Sequence, residues 1–279
     1  MKRIVLCADD YGLAPGVSQA IRELIALGRL NATSAMTVFP DLAEEAKRLA
    51  VTPSPAPVQI GLHVTLSGGF KPLVSAPMPT RDGMLPPMAV LYSPLSRFRI
   101  VRSAVAAEVE AQIEAFKRAF GRAPDYIDGH HHVQLLPGVR KPLLETVAKL
   151  APKAWVRQCA PLQKSKLLRA DNKTRLIGAL SIAFAKLAGR HGIKTNPSFS
   201  GAYNYGGTDS FAGLFARFVA EITDGGVIMC HPGHIDDVLR SRDILIERRQ
   251  EEYSLLASEQ FHVAMKEAGA TLAGEAGTS

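Results

Sequence analysis

Short apolar runs alternate with segments of helical periodicity along most of this chain. The apolar runs predict strands at residues 4–8, 33–38, 58–66, 154–157 and 227–230, with a further one that begins at Tyr126. Helical spacing predicts helices at about 15–28, 42–49, 105–120, 139–150 and 167–187, another capped by Asp209, and a helical tail through 255–265. Because strands and helices alternate, we expect an α/β fold whose parallel sheet is closed or nearly closed into a barrel.

Residues 67–102 interrupt this pattern. The segment contains six prolines, scattered glycines and little periodicity. Loops of this length are usually functional, so we expect a lid or a binding loop over a site. No internal repeat and no linker divides the chain, which predicts one domain over residues 1–279 with a frayed tail at 274–279.

The composition narrows the class of protein. The 279 residues are close to the ~250 residues typical of an α/β barrel, and the hydrophobic share of 47% is enough for a large core. The three cysteines, Cys7, Cys159 and Cys230, are odd in number and far apart, which argues against a disulfide framework. The apolar run after Met1 is too short for a signal peptide, and no run approaches the ~20 residues of a membrane span. We therefore expect a cytoplasmic protein.

The formal net charge of +7 raises the question of a nucleic-acid partner or an anionic substrate. Much of the excess positive charge lies in residues 164–194, on the polar side of the helix predicted there. A charge run of this kind is usually a solvated helix face. We therefore expect no nucleic-acid partner.

Ionisable residues gather at the ends of the predicted strands. They are Asp9 and Asp10, His63, His130 and His132, and His231. The loops that follow the strands of a parallel barrel build its active site, so these side chains should share one rim. An extended backbone through the histidine run would place His130 and His132 on one face and His131 on the other. Carboxylates and imidazoles gathered in this way indicate metal-assisted hydrolysis with a general base and a general acid.

Each of these features also has an ordinary explanation when it is considered alone. Asp9 and Asp10 could cap the turn after their strand. His63 could be a hydrogen-bonded core histidine, and His231 could make a purely structural hydrogen bond. The three consecutive histidines could be a surface run, although they lie in mid-chain between apolar segments. The interpretation as a metal site depends on their convergence from four separate strands.

Four short motifs carry a family resemblance: ADDYGL at residues 8–13, GLH at 61–63, DGHHHV at 128–133 and MCHP at 229–232. They resemble the successive motifs of the YdjC-like carbohydrate deacetylases, a family that includes chitooligosaccharide deacetylases and proteins associated with hopanoid biosynthesis. The resemblance implies an α/β fold of the modified (β/α) TIM-like barrel type seen in glycoside hydrolases and deacetylases, usually a homodimer. It also implies removal of an acetyl group from N-acetylglucosamine units with one divalent metal ion, Mg²⁺ or Zn²⁺.

The resemblance further implies roles for individual residues. Asp10, His63 and His130 would be the metal ligands, with Asp9 as the general base and His231 as the general acid. Arg157 would orient Asp9, and Tyr11, His132 and Tyr203 are candidates for substrate binding. Two positions depart from the family pattern: Tyr11 stands where phenylalanine is common, and Gln134 stands where chitooligosaccharide deacetylases often have a histidine. The second departure puts the substrate preference in doubt more than the chemistry.

Three other functions compete with a carbohydrate deacetylase. A metal-dependent phosphoesterase could use the same ligands, but it would want Arg or Lys near the metal, and only Arg157 offers itself. A glycosidase needs two catalytic carboxylates and no histidines. A non-catalytic sugar or metal sensor would keep the ligands and lose the base, whereas Asp9 and His231 are both present here. The sequence therefore favours a deacetylase that acts on an acetylated amino sugar.

Overall fold

The computed structural model describes residues 1–74, 82–93, 100–161 and 172–274. Within these residues the strands are β1 (Lys2–Tyr11), β2 (Ala32–Ala35), β3 (Gln59–Val64), β4 (Tyr126–Gly129), β5 (Trp155–Val156), β6 (Phe199–Ser200), β7 (Val227–Cys230) and β8 (Ala270–Leu272). The helices are α1 (Pro15–Ala26), α2 (Leu42–Ala50), α3 (Met88–Tyr92), α4 (Arg102–Phe120), α5 (Arg140–Leu150), α6 (Asn172–Arg190), α7 (Phe211–Glu221), α8 (Asp237–Arg242), α9 (Glu247–Ala257) and α10 (Glu259–Glu267). A short 3₁₀-type segment, His130–Leu135, follows β4 directly and is interrupted by non-helical backbone at His131 and His132.

The strands form one parallel sheet in the order β5-β4-β3-β2-β1-β7-β6, and β8 pairs with the first residues of β1. The two ends of this sheet approach each other. Val156 of β5 forms an isolated parallel bridge with Thr195, and its N–H donates to the carbonyl of Lys194 at 2.9 Å. Because Thr195 lies just before β6, the sheet curls almost into a closed cylinder. The prediction of an α/β fold of the modified (β/α) TIM-like barrel type is confirmed.

The core lies on both faces of the sheet, with β1 at its centre. Ile4 and Leu6 of β1 are completely buried, and α1 packs Val17, Ile21 and Leu24 toward the sheet at helical spacing. Burying one such aliphatic side chain contributes about 1.5–3 kcal/mol to stability. The packing around β1 therefore holds the carboxyl end of this strand in a fixed position.

The observed elements follow the predicted ones, with identifiable differences. The predicted strand at 33–38 ends already at Ala35. The N-cap of α7 is Ser210 and not the predicted Asp209, because the Ser210 hydroxyl accepts a hydrogen bond from the N–H of Gly213. The short strands β6 and β8 were not predicted, because two or three residues show no measurable alternation. No helix in the described part of the chain is long and apolar enough to cross a membrane.

The irregular segment 67–102 contains a short helix, α3, and its described residues bond to one another and to Glu108 of α4. The N–H of Gly69 donates to Leu85, the N–H of Leu85 donates to Phe70, and the buried carboxylate of Glu108 accepts from two backbone N–H groups of the segment. Residues 75–81 and 94–99 lie outside the described residues, as do 167–171 of the predicted long helix and 275–279 of the predicted tail. The lid therefore stays a prediction, as does the single-domain organisation.

Gly61 of β3 provides a test of how tightly the sheet packs under the site. A Cβ at this position would lie 2.4 Å from the ring of Tyr126. That ring is held in place because it stacks on Trp155 at 4.5 Å and its hydroxyl lies 2.9 Å from the Cys7 sulfur. We expect Gly61→Ala to lower the free energy of unfolding by about 1–3 kcal/mol, measured by urea denaturation.

The matched control for this substitution is Gly189→Ala in α6, where an added Cβ would meet no atom within 4 Å. Because alanine is the better helix former, the control should be neutral or stabilising by up to about 1 kcal/mol. Equal stability of the two variants would show that the contact between Gly61 and Tyr126 is loose.

Candidate metal centre and active site

The three side chains predicted to bind a metal meet at the carboxyl ends of β1, β3 and β4. The Oδ1 atom of Asp10 lies 3.3 Å from Nε2 of His63 and 3.1 Å from Nδ1 of His130. All three residues are buried, and their ligand atoms lie within 4.8 Å of one another. The structure thus brings Asp10, His63 and His130 into one cluster of potential ligands.

The backbone of β1 explains why two consecutive aspartates can both serve this rim. In a regular strand neighbouring side chains point to opposite faces. Asp10, however, has a positive φ of 69°, and the pairing of β1 with β2 is irregular between Ala8 and Tyr11. Such a conformation costs of order 1–3 kcal/mol in a residue other than glycine, and residues of this kind cluster at functional sites. The irregularity leaves Asp9 and Asp10 at the same rim with different partners.

The histidine run is a tight turn and does not continue the strand. β4 ends at Gly129, and both His131 and His132 have left-handed backbone conformations with φ values of 55° and 57°. The three rings therefore have three different partners: His130 contacts Asp10, Nδ1 of His131 lies 2.9 Å from the Ser67 hydroxyl, and Nδ1 of His132 lies 3.5 Å from the Cys159 sulfur. The predicted common face of His130 and His132 was wrong, because it assumed an extended backbone.

Arg157, just after β5, forms ion pairs with two buried aspartates next to the cluster, Asp9 and Asp128. Its guanidinium is completely buried and donates from NH1 and NH2 to the two carboxylate oxygens of Asp9, at 2.9 and 2.7 Å. NH2 also pairs with Asp128, whose other oxygen lies 2.6 Å from Nδ1 of His63. Burial alone would raise the pKa of Asp9, but Arg157 and His63 together hold it at about 2. Asp9 is therefore ionised and held in a fixed orientation.

A second buried arginine, Arg249 of α9, was not predicted. Its NH2 group donates to Oδ2 of Asp10 and to Asp243, both at 2.6 Å. Burial would raise the pKa of Asp10, but Arg249 and His130 keep it well below its usual value. Arg249, Glu252 and Leu256 are buried on one face of α9 at helical spacing. Polar residues on an apolar stripe are the signal that could have revealed Arg249 and Glu252.

The cluster fits a divalent cation in both donor chemistry and charge. One carboxylate and two imidazoles suit Zn²⁺ or another transition ion, and a carboxylate is also a ligand for Mg²⁺. Burial lowers the pKa of His63, but Asp128 and Asp9 outweigh this and raise the pKa to about 10. The site thus calls for one more positive charge beyond the two arginines. The hydrogen bond between His63 Nδ1 and Asp128 leaves Nε2 facing Asp10, as in many histidine metal ligands.

His231 stands on the opposite flank of β1, because β7 pairs with β1 on the side away from β2. The residue is half-buried, and its backbone N–H donates to the carboxylate of Glu252. Its Nδ1 lies 3.2 Å from the hydroxyl of Tyr205, a residue that was not predicted. Burial lowers the pKa of His231 to about 4 and outweighs Asp10 and Asp9, which act to raise it. The ring is therefore neutral near pH 7.

The predicted substrate-binding residues have different surroundings. Tyr11 is completely buried, and its hydroxyl donates to the Glu45 carbonyl at 2.7 Å, so it faces α2 and not the site. That prediction was wrong, because the irregular end of β1 sends the tyrosine to the opposite side. The half-buried His132 and Tyr203 stay candidates, although the Tyr203 hydroxyl already donates to Glu252 at 2.7 Å. Gln134, at the position that departs from the family pattern, is fully buried and reaches the Arg157 carbonyl at 3.3 Å.

An open cavity of about 560 Å³ lies beside the cluster. Its lining is mostly apolar, with Lys71 and Arg242 as the two basic side chains. The lining residues are Thr37, Val38, Phe39, Pro40, Gly69, Phe70, Lys71, Leu73, Met84 and Arg242. The ring of Phe70 connects the cavity to the site, since it lies 6.0 Å from the ring of His130 and 5.0 Å from that of Phe39. Half of the lining comes from the irregular segment 67–102, which therefore forms one wall of the space next to the ligands.

Comparison with known proteins places this geometry in a family. The family model described as YdjC-like protein matches residues 3–267. The chain belongs to the YdjC-like family. A chitooligosaccharide deacetylase of Citrobacter koseri is 27% identical over 274 residues, and one of Yersinia pestis is 28% identical over 276 residues. Each of these alignments covers 96% of both chains.

A solved structure shares the fold of this YdjC-like protein over its whole length. It is a putative cellobiose-phosphate cleavage protein from Enterococcus faecalis V583, with a TM-score of 0.75 and 25% sequence identity. The match covers 98% of this chain and 97% of that one. The nearly closed parallel barrel is therefore an architecture that this chain shares with a protein of known structure.

The cluster predicts a graded loss of metal binding in variants. His63→Ala and His130→Ala each remove a ligand and should abolish stoichiometric binding of Zn²⁺, measured by calorimetry and elemental analysis. Asp128→Asn leaves the ligands in place but weakens the group that orients His63, so affinity should fall about 10- to 100-fold. His191→Ala, at the end of α6, is the control and should bind as the wild type does. Full metal occupancy in His63→Ala would refute the assignment of this residue as a ligand.

Proposed function

We propose that this YdjC-like protein is a metal-dependent carbohydrate deacetylase that removes an N-acetyl group from an N-acetylglucosamine-containing saccharide. The observation that carries the proposal is the joint placement of five groups at one rim: the cluster of Asp10, His63 and His130, the oriented carboxylate of Asp9, and the imidazole of His231. Curated relatives named chitooligosaccharide deacetylase support an acetylated amino sugar as the substrate class.

Asp10, His63 and His130 would hold one divalent cation, Mg²⁺ or Zn²⁺, which when bound supplies Lewis-acid chemistry to an acetyl carbonyl and to water. Asp9 is ready to accept a proton from the attacking water because it is ionised. Arg157 fixes the direction in which it does so, through two hydrogen bonds of 2.9 and 2.7 Å. Because the carboxylate is already oriented, the reaction does not have to meet the entropic cost of orienting it.

His231 supplies the proton that the leaving group needs. The nitrogen of an amide leaves only when it has gained a proton, so a proton donor is required on its side. The pKa of about 4 leaves the imidazole neutral near pH 7, and it must therefore first gain a proton. The proton that Asp9 removes from water meets this need: it passes to His231 and then to the departing amine. One proton leaves water and one reaches nitrogen, so both residues return to their starting states.

The pairing of the two buried arginines weighs against a phosphoesterase, while the neighbouring cavity carries two further basic side chains, Lys71 and Arg242. The two buried cations near the cluster, Arg157 and Arg249, are both paired with carboxylates. A phosphoryl group would have to compete with these ion pairs for either guanidinium. The proposal also includes a cytoplasmic location and a homodimer, the latter to be checked by light scattering.

The test of the proposed function is an assay with acetylated chito-oligosaccharides before and after treatment with a chelator. We expect release of acetate that stops when the metal is removed and returns when Zn²⁺ or Mg²⁺ is added back. A phosphate ester serves as the control substrate and should not be cleaved. Sugar binding without acetate release would favour a non-catalytic sensor, and cleavage of the phosphate ester would favour a phosphoesterase.

Asp9→Asn separates the base from the metal site. The variant keeps a side chain of the same shape but cannot accept the proton, so kcat should fall by ~10² to 10⁴ while the bound metal is retained. Elemental analysis and kinetics on the same preparation check both points. Loss of the metal from Asp9→Asn would mean that Asp9 and Asp10 have each other's roles.

His231→Ala separates the two halves of the reaction. Turnover of an acetamide should fall by ~10² to 10⁴, because its nitrogen needs a proton. An activated acetate ester, whose leaving group needs none, should lose much less activity. Comparison of the two rates at full metal occupancy makes the measurement. Equal losses on both substrates would assign His231 to the oxyanion or to the metal.

A further inference from the structure

The loop that follows β6, residues 201–209, brings a tyrosine onto the ring of His231. The Tyr205 hydroxyl lies 3.2 Å from Nδ1 of His231, and the two rings meet edge to face with centroids 5.6 Å apart. Nε2 of His231 has no hydrogen-bond partner among the residues that the structure describes. The tyrosine thus occupies one ring nitrogen and leaves the other available to the substrate.

We propose that Tyr205 is a positioning residue for His231: its hydroxyl holds Nδ1 and so presents Nε2 to the leaving nitrogen in every protonation state of the ring. The inference rests on the proposed function, in which His231 delivers a proton. A phenol suits this task because its oxygen can accept a hydrogen bond from Nδ1–H, which is present both in the imidazolium and in the neutral ring whose Nε2 is bare. The ring can then gain and lose a proton at Nε2 without turning.

The loop is built to hold Tyr205 in this place. Gly201, with a φ of 103°, packs so closely on β7 that a Cβ would lie 2.1 Å from the Met229 carbonyl oxygen. Arg248 of α9 donates to the carbonyls of Tyr205 at 3.1 Å and of Asp209 at 3.0 Å, and also to that of Gly207. The loop is therefore fixed at its start by β7 and along its length by α9.

Glu252 of α9 ties the tyrosine loop to His231 itself. One of its oxygens accepts from the hydroxyl of Tyr203, whose ring packs on that of Tyr205 with centroids 4.5 Å apart. The other oxygen accepts from the backbone N–H of His231. One buried carboxylate thus positions both members of the pair, which is more than a chance contact of a surface loop would require.

The choice of a phenol over a carboxylate has a chemical consequence. In a Ser-His-Asp arrangement the carboxylate on Nδ1 stabilises the imidazolium. Among the described residues no carboxylate bonds to the ring of His231, since Glu252 contacts only its backbone. The pKa of His231, lowered to about 4 by burial, agrees with a neutral partner, and burial raises the pKa of Tyr205 so that the phenol keeps its hydrogen. The ring is oriented without being held in the charged form.

The test is Tyr205→Phe, which removes the hydroxyl and keeps the aromatic ring. In the zinc-loaded protein, kcat on an acetylated chito-oligosaccharide should fall roughly tenfold, the effect expected for one lost hydrogen bond, with little change in KM. The rate on an activated acetate ester should stay near that of the wild type. In a His231→Ala background the same substitution should have no further effect, because the group that it positions is absent. Equal losses on amide and ester, or full additivity in the double variant, would overturn the proposal.

The matched control is Tyr253→Phe, which removes a tyrosine hydroxyl that donates to Glu23 at 2.6 Å, away from the site, and should leave both rates unchanged. Nitrogen-15 NMR of His231 adds a readout that does not depend on turnover. The wild type should show one dominant neutral tautomer, and Tyr205→Phe should shift the signals toward a mixture. If the wild-type protein releases no acetate, the proposed function fails, and the NMR spectra alone decide the pairing: unchanged tautomer signals in Tyr205→Phe would refute it.

Discussion

The fully buried guanidinium of Arg157 is the interaction on which the site depends. A cation with no access to water is tolerated only when it is paired and hydrogen-bonded, and Arg157 pairs with Asp9 on β1 and Asp128 on β4. Removal of one partner from a buried pair typically costs about 3–5 kcal/mol, because it leaves a charge uncompensated. The same pairing keeps Asp9 ionised and, through Asp128, fixes the ring of His63. The ion pairs that compensate the buried charge of Arg157 are thus the same contacts that position Asp9 and His63 at the rim.

Backbone strain is concentrated where this network meets the metal ligands. Asp10, His131 and His132 all have positive φ values, which direct neighbouring side chains to separate partners at one rim. Such conformations persist only where the surroundings hold them. One restraint is Tyr92 of α3, whose hydroxyl donates to the carbonyl of His131 at 2.9 Å, and another is Ser67 on the ring of His131. The irregular segment therefore supports the histidine turn in addition to lining the neighbouring cavity.

The sequence predicted most of the sheet and the residues that meet at its rim, because both depend on local pattern. Apolar runs mark buried strands, and short motifs place Asp10, His63 and His130 directly after them. The partners of these residues were harder to predict. Arg249 bonds to an aspartate 239 positions earlier in the chain, and no local signal connects the two. The left-handed turn at the histidines was missed for another reason: three consecutive identical residues fit an alternating strand and a tight turn equally well.

The histidines on the two flanks of β1 have the same side chain and very different pKa values. On one flank Asp128 and Asp9 outweigh burial and raise the pKa of His63 to about 10; on the other, burial outweighs Asp10 and Asp9 and lowers the pKa of His231 to about 4. Groups whose pKa values are pushed apart by their surroundings are suited to different tasks. His63 sits where positive charge is stabilised, and a cation bound there must displace its proton. His231 sits where positive charge is disfavoured, so any proton it gains is readily given up. The division between holding charge and passing protons follows from the balance of burial and carboxylate charge at each ring, because the ring of His63 hydrogen-bonds to Asp128 whereas that of His231 contacts the hydroxyl of Tyr205.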